Sequence, residues 1–585
     1  MKHIYTCSSQ VLVSILLILQ SFRLAHGQGS LTTFDETCLA VVKDIFSEDR
    51  KELLCQTPSG MFYIIPTVDD LWIDEKMLDG DLVSGEVSID IPPGTYVDRQ
   101  TQTLLVTEPP KLLYFSDPSR RLHRQLARVT GDKSVLVVRV SASNSDVSSN
   151  ERELSTSVFG GSDDFVNLKS QYAACSHGKL NFQKRPNMNG LTTNIRDGVV
   201  TIRVNMPIQV GYMTIVNEVS RTVEEEFGTT INGIANHVLY CMPKGAFSGV
   251  GYAIMNGVLS VYNNDLCTSV SSTMHEIGHN LNLGHSGMGS DEYGDRTGLM
   301  GYSMRSDETP KMCFNAAKLF QLRWFDDKAV SFTPGQKNWN FERTLNLAST
   351  VDYPTTRSSV LIEILQPNLR LNYYIGFNAA KGFNSGVFHA KNQVVVYEKP
   401  TVDGNDSWRV ADLSRGHRHT ISNFNGVAGD TLNIDVLNID LSAGEAQVRI
   451  KLNRFGRPPT RPPTRPPTRM PTPRPTPRPT RLTPSPTRGV IGRNPTIDVP
   501  TAGNPSCKRN MEDCESTDEC CFGYSCRRIS NDAGFSSVCR TVPKNSKDKL
   551  PRTELYWWER RLRGDASANT PDELDEVEHA NEDRA

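Results

Sequence analysis

The feature that most constrains this chain is the run Met274 to Ser286, which reads Met-His-Glu-Ile-Gly-His-Asn-Leu-Asn-Leu-Gly-His-Ser. His275 and His279 are four residues apart, so on an α-helix both imidazoles leave the same face, one turn apart. That face can bind one metal ion. Glu276 follows the first histidine directly, so its carboxylate lies beside the metal, where it can accept a proton from an attacking water. This spacing is the H-E-x-x-H zinc pattern.

A third histidine, His285, lies six residues beyond His279. It joins the other two only if the chain bends between them, and such a bend favours a residue that tolerates positive φ, normally glycine. Asn282 stands there, and asparagine tolerates left-handed backbone better than other non-glycine residues. Three histidines would hold zinc with a fourth position open, as catalytic zinc requires. The alternative is a chance match, in which the first two histidines are ordinary exposed or capping residues.

The residues after the third histidine extend the pattern. Gly298-Leu-Met-Gly-Tyr302 places Met300 in a glycine-flanked turn fifteen residues beyond His285. Metzincins have such a turn, and its methionine forms a hydrophobic floor beneath the metal. With Tyr293-Gly-Asp295 and Cys313-Phe-Asn-Ala-Ala-Lys-Leu319, the chain resembles the gametolysin family of secreted metallopeptidases, whose founding member is an algal cell-wall-lytic enzyme.

This resemblance covers about residues 130 to 453 and implies an α+β fold with a metzincin-type zinc peptidase domain. It implies that the zinc ligands are His275, His279 and His285. It also implies Glu276 as the general base and Met300 as the Met-turn residue. Asn282 departs from the glycine that the family usually has in the bend.

Tyr302 admits two interpretations. It matches the position at which some metzincins place a tyrosine that binds zinc or supports the oxyanion, so we include it among the catalytic candidates. The alternative is an ordinary packed tyrosine, since a phenol is a common buried donor.

Residues 1–27 have the pattern of a secretory signal peptide. Lys2 and His3 precede an apolar core, Val11 to Leu19, which is too short to span a bilayer, and Ala25-His-Gly27 offers small residues for cleavage. No other apolar run approaches transmembrane length, so we expect an exported, extracellular protein with no membrane span.

Cysteine usage fits the same destination. Of the 13 cysteines, Cys7 leaves with the signal peptide, and the remaining even number can pair fully in an oxidising compartment. We expect a Cys38–Cys55 bridge. The pairing of the middle four is not readable from the sequence, and these are Cys175, Cys241, Cys267 and Cys313.

Residues 28–124 alternate apolar and polar residues, as in Gly85 to Asp90 and Thr103 to Thr107, and predict a small β-domain. The segment ends at Ser119-Arg-Arg-Leu-His-Arg124, which has the R-x-x-R form of a processing site. We interpret it as the prodomain of a zymogen; the alternative is a plain N-terminal β-module with arginines on a surface loop. If latency uses a thiolate on zinc, Cys38 or Cys55 is the candidate.

Residues 125–329 should form the peptidase domain. The patterns predict a core strand and three helices, one amphipathic, one carrying the histidines and one closing the domain: Ser134 to Val140, Gln209 to Phe227, Cys267 to Leu281 and Phe314 to Trp324. In a metzincin the last strand before the active helix is the sheet edge to which substrate adds as a strand. Tyr252 to Met255 is our candidate for that edge.

Three carboxylates, Asp291, Glu292 and Asp295, follow the bend in a glycine-rich loop. They are candidates for a structural Ca²⁺ site, but no spacing is diagnostic, and solvated carboxylates are the alternative.

The rest of the chain, residues 330–585, divides into four segments of different composition. Residues 330–453 predict a β-sandwich-like subdomain and contain a glycosylation sequon at Asn405. Residues 454–500 form a Pro/Thr/Arg-rich linker of polyproline II type. It is either a stiff tether or a positively charged segment that binds anionic matrix polymers. Residues 501–540 hold six cysteines and resemble an inhibitor cystine knot, which implies bridges 507–521, 514–526 and 520–539. Residues 541–585 predict a disordered acidic tail.

These observations predict a secreted zinc endopeptidase whose partners are protein substrates. The resemblance implies matrix or cell-wall glycoproteins, although no residue identifies a cleavage site. Nucleic acid is a poor partner, because the arginines lack interleaved aromatic residues and secretion removes the opportunity. The competing hypothesis is a non-enzymatic matrix or adhesion protein with a vestigial zinc site, against which an intact Glu276 argues.

Overall fold

The computed structural model describes residues 31–46, 50–114, 129–187, 194–302, 309–336, 340–401 and 406–456, and the backbone of 524–531 and 534–541. The signal peptide, the R-x-x-R cluster, Asn405, the linker and the acidic tail lie outside these residues, so their assignments stay predictions.

The fold is mixed α+β, with many strands and few helices. Among the described residues of its N-terminal part lies helix α1 (Asp70–Asp79), which begins at the Asp69 cap and ends at Gly80 with φ 75°. The strands of this part are β1 (Leu31–Thr33), β2 (Cys38–Phe46), β3 (Arg50–Gln56), β4 (Phe62–Ile64), β5 (Val87–Asp90), β6 (Tyr96–Asp98), β7 (Thr103–Leu105) and β8 (Lys111–Tyr114). The alternating patterns of residues 28–124 therefore do form strands.

The next part contains the sheet that supports the histidines. Its strands are β9 (Gly131–Ala142), β10 (Ser145–Asp146), β11 (Leu180–Lys184), β12 (Val199–Arg203), β13 (His237–Met242), β14 (Gly251–Ile254) and β15 (Leu259–Asn263). β9 pairs in parallel with β11, β12 and β13, and β13 pairs in parallel with β15. The buried middle of β9 contains four valines, Val135, Val137, Val138 and Val140, as expected for a strand buried on both faces.

Six further α-helices lie in the described chain: α2 (Glu151–Phe159), α3 (Leu168–Cys175), α4 (Tyr212–Phe227), α5 (Ile231–Ile234), α6 (Val270–Asn280) and α7 (Ala316–Leu322). α4, α6 and α7 correspond to the three helices predicted from the apolar periodicity. The sequence analysis did not identify α1, α2, α3 or α5. The short 3₁₀ segments are Ile208–Val210, Asn264–Thr268, Asp326–Lys328, Thr350–Asp352, Gly382–Asn384 and Phe424–Gly426.

A strand is found at the predicted position, but it is not an edge of the sheet. β14 covers Gly251–Ile254, and it is not the last strand before the active helix, because β15 follows it and pairs with it antiparallel. On its other side β14 pairs antiparallel with β2 of the N-terminal part. The central sheet therefore continues from the peptidase part into the N-terminal strands.

The C-terminal β-rich part contributes two more sheets. One contains β16 (Ser286–Gly287), β17 (Ala329–Phe332), β19 (Leu361–Ile364), β20 (Leu371–Asn378), β21 (Gln393–Pro400) and β22 (Ser407–Leu413). The other contains β18 (Phe341–Ala348), β23 (Arg418–Ser422), β24 (Thr431–Asp440) and β25 (Glu445–Asn453). A buried cluster that includes Leu347, Ile375 and Val448 draws on strands of both sheets.

The peptidase part and this β-rich part share a core. A single cluster contains Met274 and Ile277 of α6 together with Leu361 and Tyr397. Strand β16, directly after His285, pairs in parallel with β22. The predicted boundary at 329/330 therefore falls within continuous packing.

Three disulfides hold the described chain: Cys38–Cys55, Cys175–Cys313 and Cys241–Cys267. The first confirms the predicted bridge, and the other two supply the pairing that the sequence left open. In the six-cysteine segment, β26 (Tyr524–Asn531) and β27 (Gly534–Thr541) form a hairpin with Cys526 opposite Cys539. The three bridges predicted there lie outside the described side chains.

Within the described ranges, no helix combines the length and the apolar character that crossing a bilayer requires.

Candidate metal centre

Helix α6 begins and ends in ways that its sequence explains. Ser269 caps its N-terminus by accepting a hydrogen bond from the N–H of Ser272. At the other end, Asn282 has φ 67°, and the N–H of Leu283 donates to the carbonyl of Gly278 at 3.0 Å. This is the Schellman ending, which needs one left-handed residue. The predicted bend at Asn282 is therefore present, and asparagine meets its backbone requirement.

The bend brings the three predicted histidines together. One ring nitrogen from each of His275, His279 and His285 lies within 4.8 Å of the others, and all three side chains are buried. The Nε2 atoms of His275 and His279 are 3.1 Å apart. The ring of His285 lies 4.8 Å from that of His279, centroid to centroid.

Each imidazole is oriented through its other nitrogen. Nδ1 of His275 donates to the carbonyl of Leu299 at 2.7 Å, and Nδ1 of His279 donates to the carbonyl of Leu283 at 2.8 Å. Nδ1 of His285 lies 2.6 Å from Oε1 of Glu292. Carbonyl and carboxylate oxygens only accept, so each Nδ1 carries a proton, and Nε2 is the nitrogen left for a metal. This donor set fits a divalent ion such as zinc.

Met300 lies under the histidine helix, as the Met-turn pattern predicts. Its side chain is buried, with 1% exposed. A Cβ added at Gly278 of α6 would come within 2.5 Å of the Met300 sulfur. Gly278, the glycine inside the H-E-x-x-H motif, thus lets the methionine approach the helix backbone directly.

The Glu276 carboxylate faces strand β14. Its side chain is fully buried, and neither oxygen has a hydrogen-bond partner within the described residues. A Cβ at Gly251 of β14 would lie 3.1 Å from Oε1 of Glu276, so the absence of a side chain there makes room for the carboxylate. Burial, and then the charge of Asp44, raises the pKa of Glu276 well above its usual value. A carboxylate in this environment is a strong base when ionised.

The tyrosine ring stacked on the triad belongs to Tyr293. Its centroid lies 4.3 Å from that of His285 and 6.0 Å from that of His275. Tyr302, the predicted catalytic tyrosine, is half-buried; its N–H donates to the carbonyl of Tyr293 at 2.8 Å, and the Arg296 guanidinium lies 5.5 Å from its ring centre. The catalytic role of Tyr302 stays a prediction, and Tyr293 is a neighbour that the sequence analysis did not single out.

The N-terminal part contributes a carboxylate to the same site. Asp44 of β2 is fully buried, with Oδ1 3.2 Å from Nε2 of His285 and Oδ2 3.9 Å from Nδ1 of His279. Neither oxygen accepts a hydrogen bond from the described residues. Burial is the largest influence on this carboxyl and raises its pKa to about 6, although His285 and Lys51 act in the opposite direction.

A second potential ligand group adjoins the first. His285, Glu292 and Asp406 also bring ligand atoms within 4.8 Å of one another. An ammonium already lies among these carboxylates, because Nζ of Lys51 is 3.3 Å from Asp406 and 3.7 Å from Glu292. Burial alone would lower the pKa of His285, but Asp44, Glu292 and Asp406 raise it to about 9. The negative charge that favours a proton on this ring also favours a metal cation beside it.

The three carboxylates considered for Ca²⁺ point to different partners. Asp291 caps a turn by accepting from the N–H of Tyr293. Glu292 contacts His285. Asp295 is buried and accepts hydrogen bonds from Thr297 and Asn315. Each carboxylate thus has a separate structural role, and the described residues give no support to a calcium site.

Three convergent imidazoles beside a carboxylate with no hydrogen bond, on an α+β fold, define the class of metallopeptidases. The family model of gametolysin peptidase M11 matches residues 133–403, a range that contains the whole triad. This part of the chain is similar to the gametolysin-like metallopeptidases. No curated protein and no solved structure matches it.

The sequence analysis missed Asp44, Lys51, Tyr293 and Asp406 as parts of the site. Tyr293 was inside the run quoted for the family, but nothing about its spacing distinguishes a ring against the triad from a packed one. Asp44 had a weak signal, because apart from Lys43 the other members of its strand, Cys38 to Phe46, are apolar. A charge within such a strand is buried only if it has a partner. Lys51 had no such signal, because Arg50 and Glu52 flank it in its strand.

Proposed function

We propose that the chain is a secreted zinc-dependent endopeptidase of the metzincin type that hydrolyses extracellular matrix or cell-wall glycoproteins. The observation that carries the proposal is the pairing of three imidazoles, each fixed through Nδ1, with the buried Glu276 carboxylate that has no hydrogen bond among the described residues. In this proposal residues 125–329 are the catalytic domain and residues 330–453 are a β-sandwich-like subdomain.

Zinc bound to the three Nε2 atoms would supply Lewis acidity, which polarises the scissile carbonyl and makes water more acidic. Glu276 accepts the proton of the attacking water, for which its raised pKa suits it. The same carboxyl then delivers that proton to the leaving amine. Gly251 leaves the carboxylate room beside β14, and an extended substrate would pair with this strand in place of β2.

Tyr302 is the proposed oxyanion support. Its replacement by phenylalanine should reduce kcat by about 10²-fold if the phenol hydrogen-bonds the oxyanion, by analogy with loss of one such donor. A Tyr293→Phe variant serves as the comparison, because Tyr293 is the ring that contacts the histidines. If Tyr302→Phe retains full kcat, Tyr302 is a packing residue.

Secretion is part of the proposal. The three described disulfides support an oxidising destination. The substrate class rests on the family, and the partners we propose are glycoproteins of an extracellular matrix or wall. A non-enzymatic role with a vestigial site is less compatible with a Glu276 that is intact, buried and directed at the substrate edge.

The decisive experiment compares the secreted parent with Glu276→Gln. Bound zinc and cleavage of a denatured protein are measured in the same preparations. We expect equal zinc content and a loss of cleavage of about 10²- to 10⁴-fold in the variant, the usual value of general-base catalysis. A parent that binds zinc but cleaves nothing after removal of residues 28–124 would favour the matrix-protein alternative.

A further inference from the structure

The N-terminal strands and the metal centre meet at one place, where a substrate would have to lie. We propose that residues 31–114 are a built-in inhibitor, in which β2 occupies the substrate edge of β14 and Asp44 gives the metal an additional carboxylate donor. The inference rests on the proposed peptidase function.

Strand β2 uses the hydrogen-bonding edge that a substrate would need. It runs antiparallel to β14, with Ala253 opposite Asp44 and Tyr252 opposite Ile45. The ladder extends beyond β14, because the N–H of Met255 donates to the carbonyl of Val42 at 2.9 Å. A strand edge accepts one neighbour, so an extended peptide cannot pair with β14 while β2 is there.

Asp44 is a buried carboxylate neither of whose oxygens accepts a hydrogen bond from the described residues. Buried carboxylates in proteins are hydrogen-bonded, ion-paired or bound to a metal. The charged contacts of Asp44 are with two imidazoles of the triad, Nε2 of His285 at 3.2 Å and Nδ1 of His279 at 3.9 Å. Nε2 of His285 is the nitrogen left for a metal, so a cation held by the triad would also lie beside the Asp44 carboxylate.

Buried polar contacts fix β2 and its neighbours against the peptidase part and the C-terminal β-rich part. Lys51 of β3 reaches Asp406. Asn217 of α4 accepts from the N–H of Phe62 at 3.0 Å and donates to its carbonyl at 2.7 Å. On the opposite face of β2 from Asp44, Lys43 contacts Glu52 and Tyr212. Lys43 also lies 4.8 Å from the ring centre of Tyr252 in β14.

The disulfide pattern decides which side chain can be the donor. Cys38 and Cys55 are bonded to each other between β2 and β3. Neither therefore offers a thiolate, which was the alternative raised by the sequence. Asp44, on the same strand as Cys38, is the group that this domain places at the metal site.

The test starts in a Glu276→Gln background, which prevents self-cleavage. Asp44→Ala and Asp44→Asn are compared with Asp90→Asn, an exposed carboxylate of the same domain. Zinc affinity is measured by competition with a chelator, and the cobalt(II)-substituted chain is followed by its visible absorption. We expect both Asp44 variants to weaken zinc binding at least about tenfold, as loss of a ligand-supporting group does, and to change the cobalt spectrum. Unchanged affinity and spectrum, with normal secretion, would overturn the assignment of Asp44 as a donor.

The second arm keeps Glu276 and measures cleavage of a denatured protein. Because β2 still covers β14 in every uncleaved chain, the uncleaved parent, Asp44→Ala and Asp90→Asn should all cleave far more slowly than the parent after removal of residues 28–124. An uncleaved parent as fast as the chain after that removal would overturn the assignment of residues 31–114 as an inhibitor. If no form cleaves, the proposed function and the inhibitor fail together, while the zinc and cobalt measurements still decide whether Asp44 is a donor.

Discussion

The metal centre has two faces that differ in how their polar groups are satisfied. On one face, α6 and the turn after it supply histidines whose Nδ1 atoms donate to nearby carbonyls such as those of Leu283 and Leu299. On the other, β2 and β3 supply Asp44, which accepts no hydrogen bond from the described residues, and Lys51, which pairs with carboxylates. The first face is complete within one stretch of chain. The second is balanced only by groups far away in sequence, so its energetics depend on the two parts staying together.

Replacement of Lys51 should lower stability more than the other substitutions, because it removes the cation that pairs with carboxylates distant in sequence. Lys51 is 5% exposed and lies between Asp74, Asp406 and Glu292. A Lys51→Met change leaves those buried carboxylates without a counter-charge, at a cost of about 3–5 kcal/mol. Urea unfolding of the full chain measures it.

The matched control for this experiment is Lys111→Met, at an exposed lysine of the same domain. It should change the unfolding free energy by less than about 0.5 kcal/mol. Adding Asp406→Asn to Lys51→Met should recover part of the loss, because it removes one unpaired charge. Equal stability of Lys51→Met and Lys111→Met would show that the two parts do not depend on this ion pair.

His237 sharpens the comparison, because it is buried without the carboxylates that surround His285. Burial lowers its pKa from 6.5 to about 4. The unfolded chain therefore binds a proton between those values that the folded chain does not, and stability present above pH 6.5 is lost as the pH falls toward 4. This histidine should account for about 3 kcal/mol of that loss.

The measurement is the unfolding free energy of the parent and of His237→Gln at several pH values between 7 and 4. The variant should be less stable at pH 7, because packing of the ring against Phe182 is lost, but its stability should fall less as the pH drops. Parallel curves would mean that His237 does not contribute.

Gly278→Ala tests the packing beneath the histidines. The new Cβ would come within 2.5 Å of the Met300 sulfur. Overpacking costs about 1–3 kcal/mol, and better helix propensity returns up to about 1 kcal/mol, so a net loss of about 1–2 kcal/mol is expected. Thermal unfolding reports it, and zinc affinity should fall with it.

The double variant Gly278→Ala with Met300→Ala distinguishes contact from propensity. Met300→Ala alone leaves a cavity, whereas in the Gly278→Ala background it also removes the clash, so the two changes should be non-additive. Additive losses would mean that the glycine does not serve the methionine.

The sequence predicted the first face well, because its information is local. The i, i+4 spacing, the six-residue step to His285 and the Met-turn all lie in one run, and each maps onto one helix and one bend. The apolar periods of α4 and α6 were readable for the same reason. The second face was not readable, because a strand such as β2 can pair with many edges and nothing in Cys38 to Phe46 names β14 as its neighbour. The pairing of Cys175 with Cys313 has the same non-local character.

There is also a physical reason why the sequence analysis did not predict helices α2 and α3. α2 and α3 are short, at nine and eight residues, so their apolar residues complete too few turns to give a clear period. Their starts do carry capping boxes, at Asn150 and Asn167, and this was the available signal. The edge position of β14 was misjudged because β14 and β15 are both short apolar runs, and only the pairing with β2 shows that β14 is covered on both sides.

Substitution of Asn282 should have the smallest effect on the unfolding free energy. It tests only the face of the metal centre that α6 and the turn after it supply. Its φ of 67° is left-handed, a conformation that costs most residues about 1–2 kcal/mol and that asparagine tolerates better. Asn282→Ala should therefore lower the unfolding free energy by about 1 kcal/mol and weaken zinc binding, because His285 follows the bend. Asn282→Gly should keep both near the parent values, since glycine adopts this φ freely. If alanine and glycine behaved alike, the backbone of the bend would not be what positions His285, and Asp406, which accepts from the N–H of His285 at 2.6 Å, would be the group that holds it.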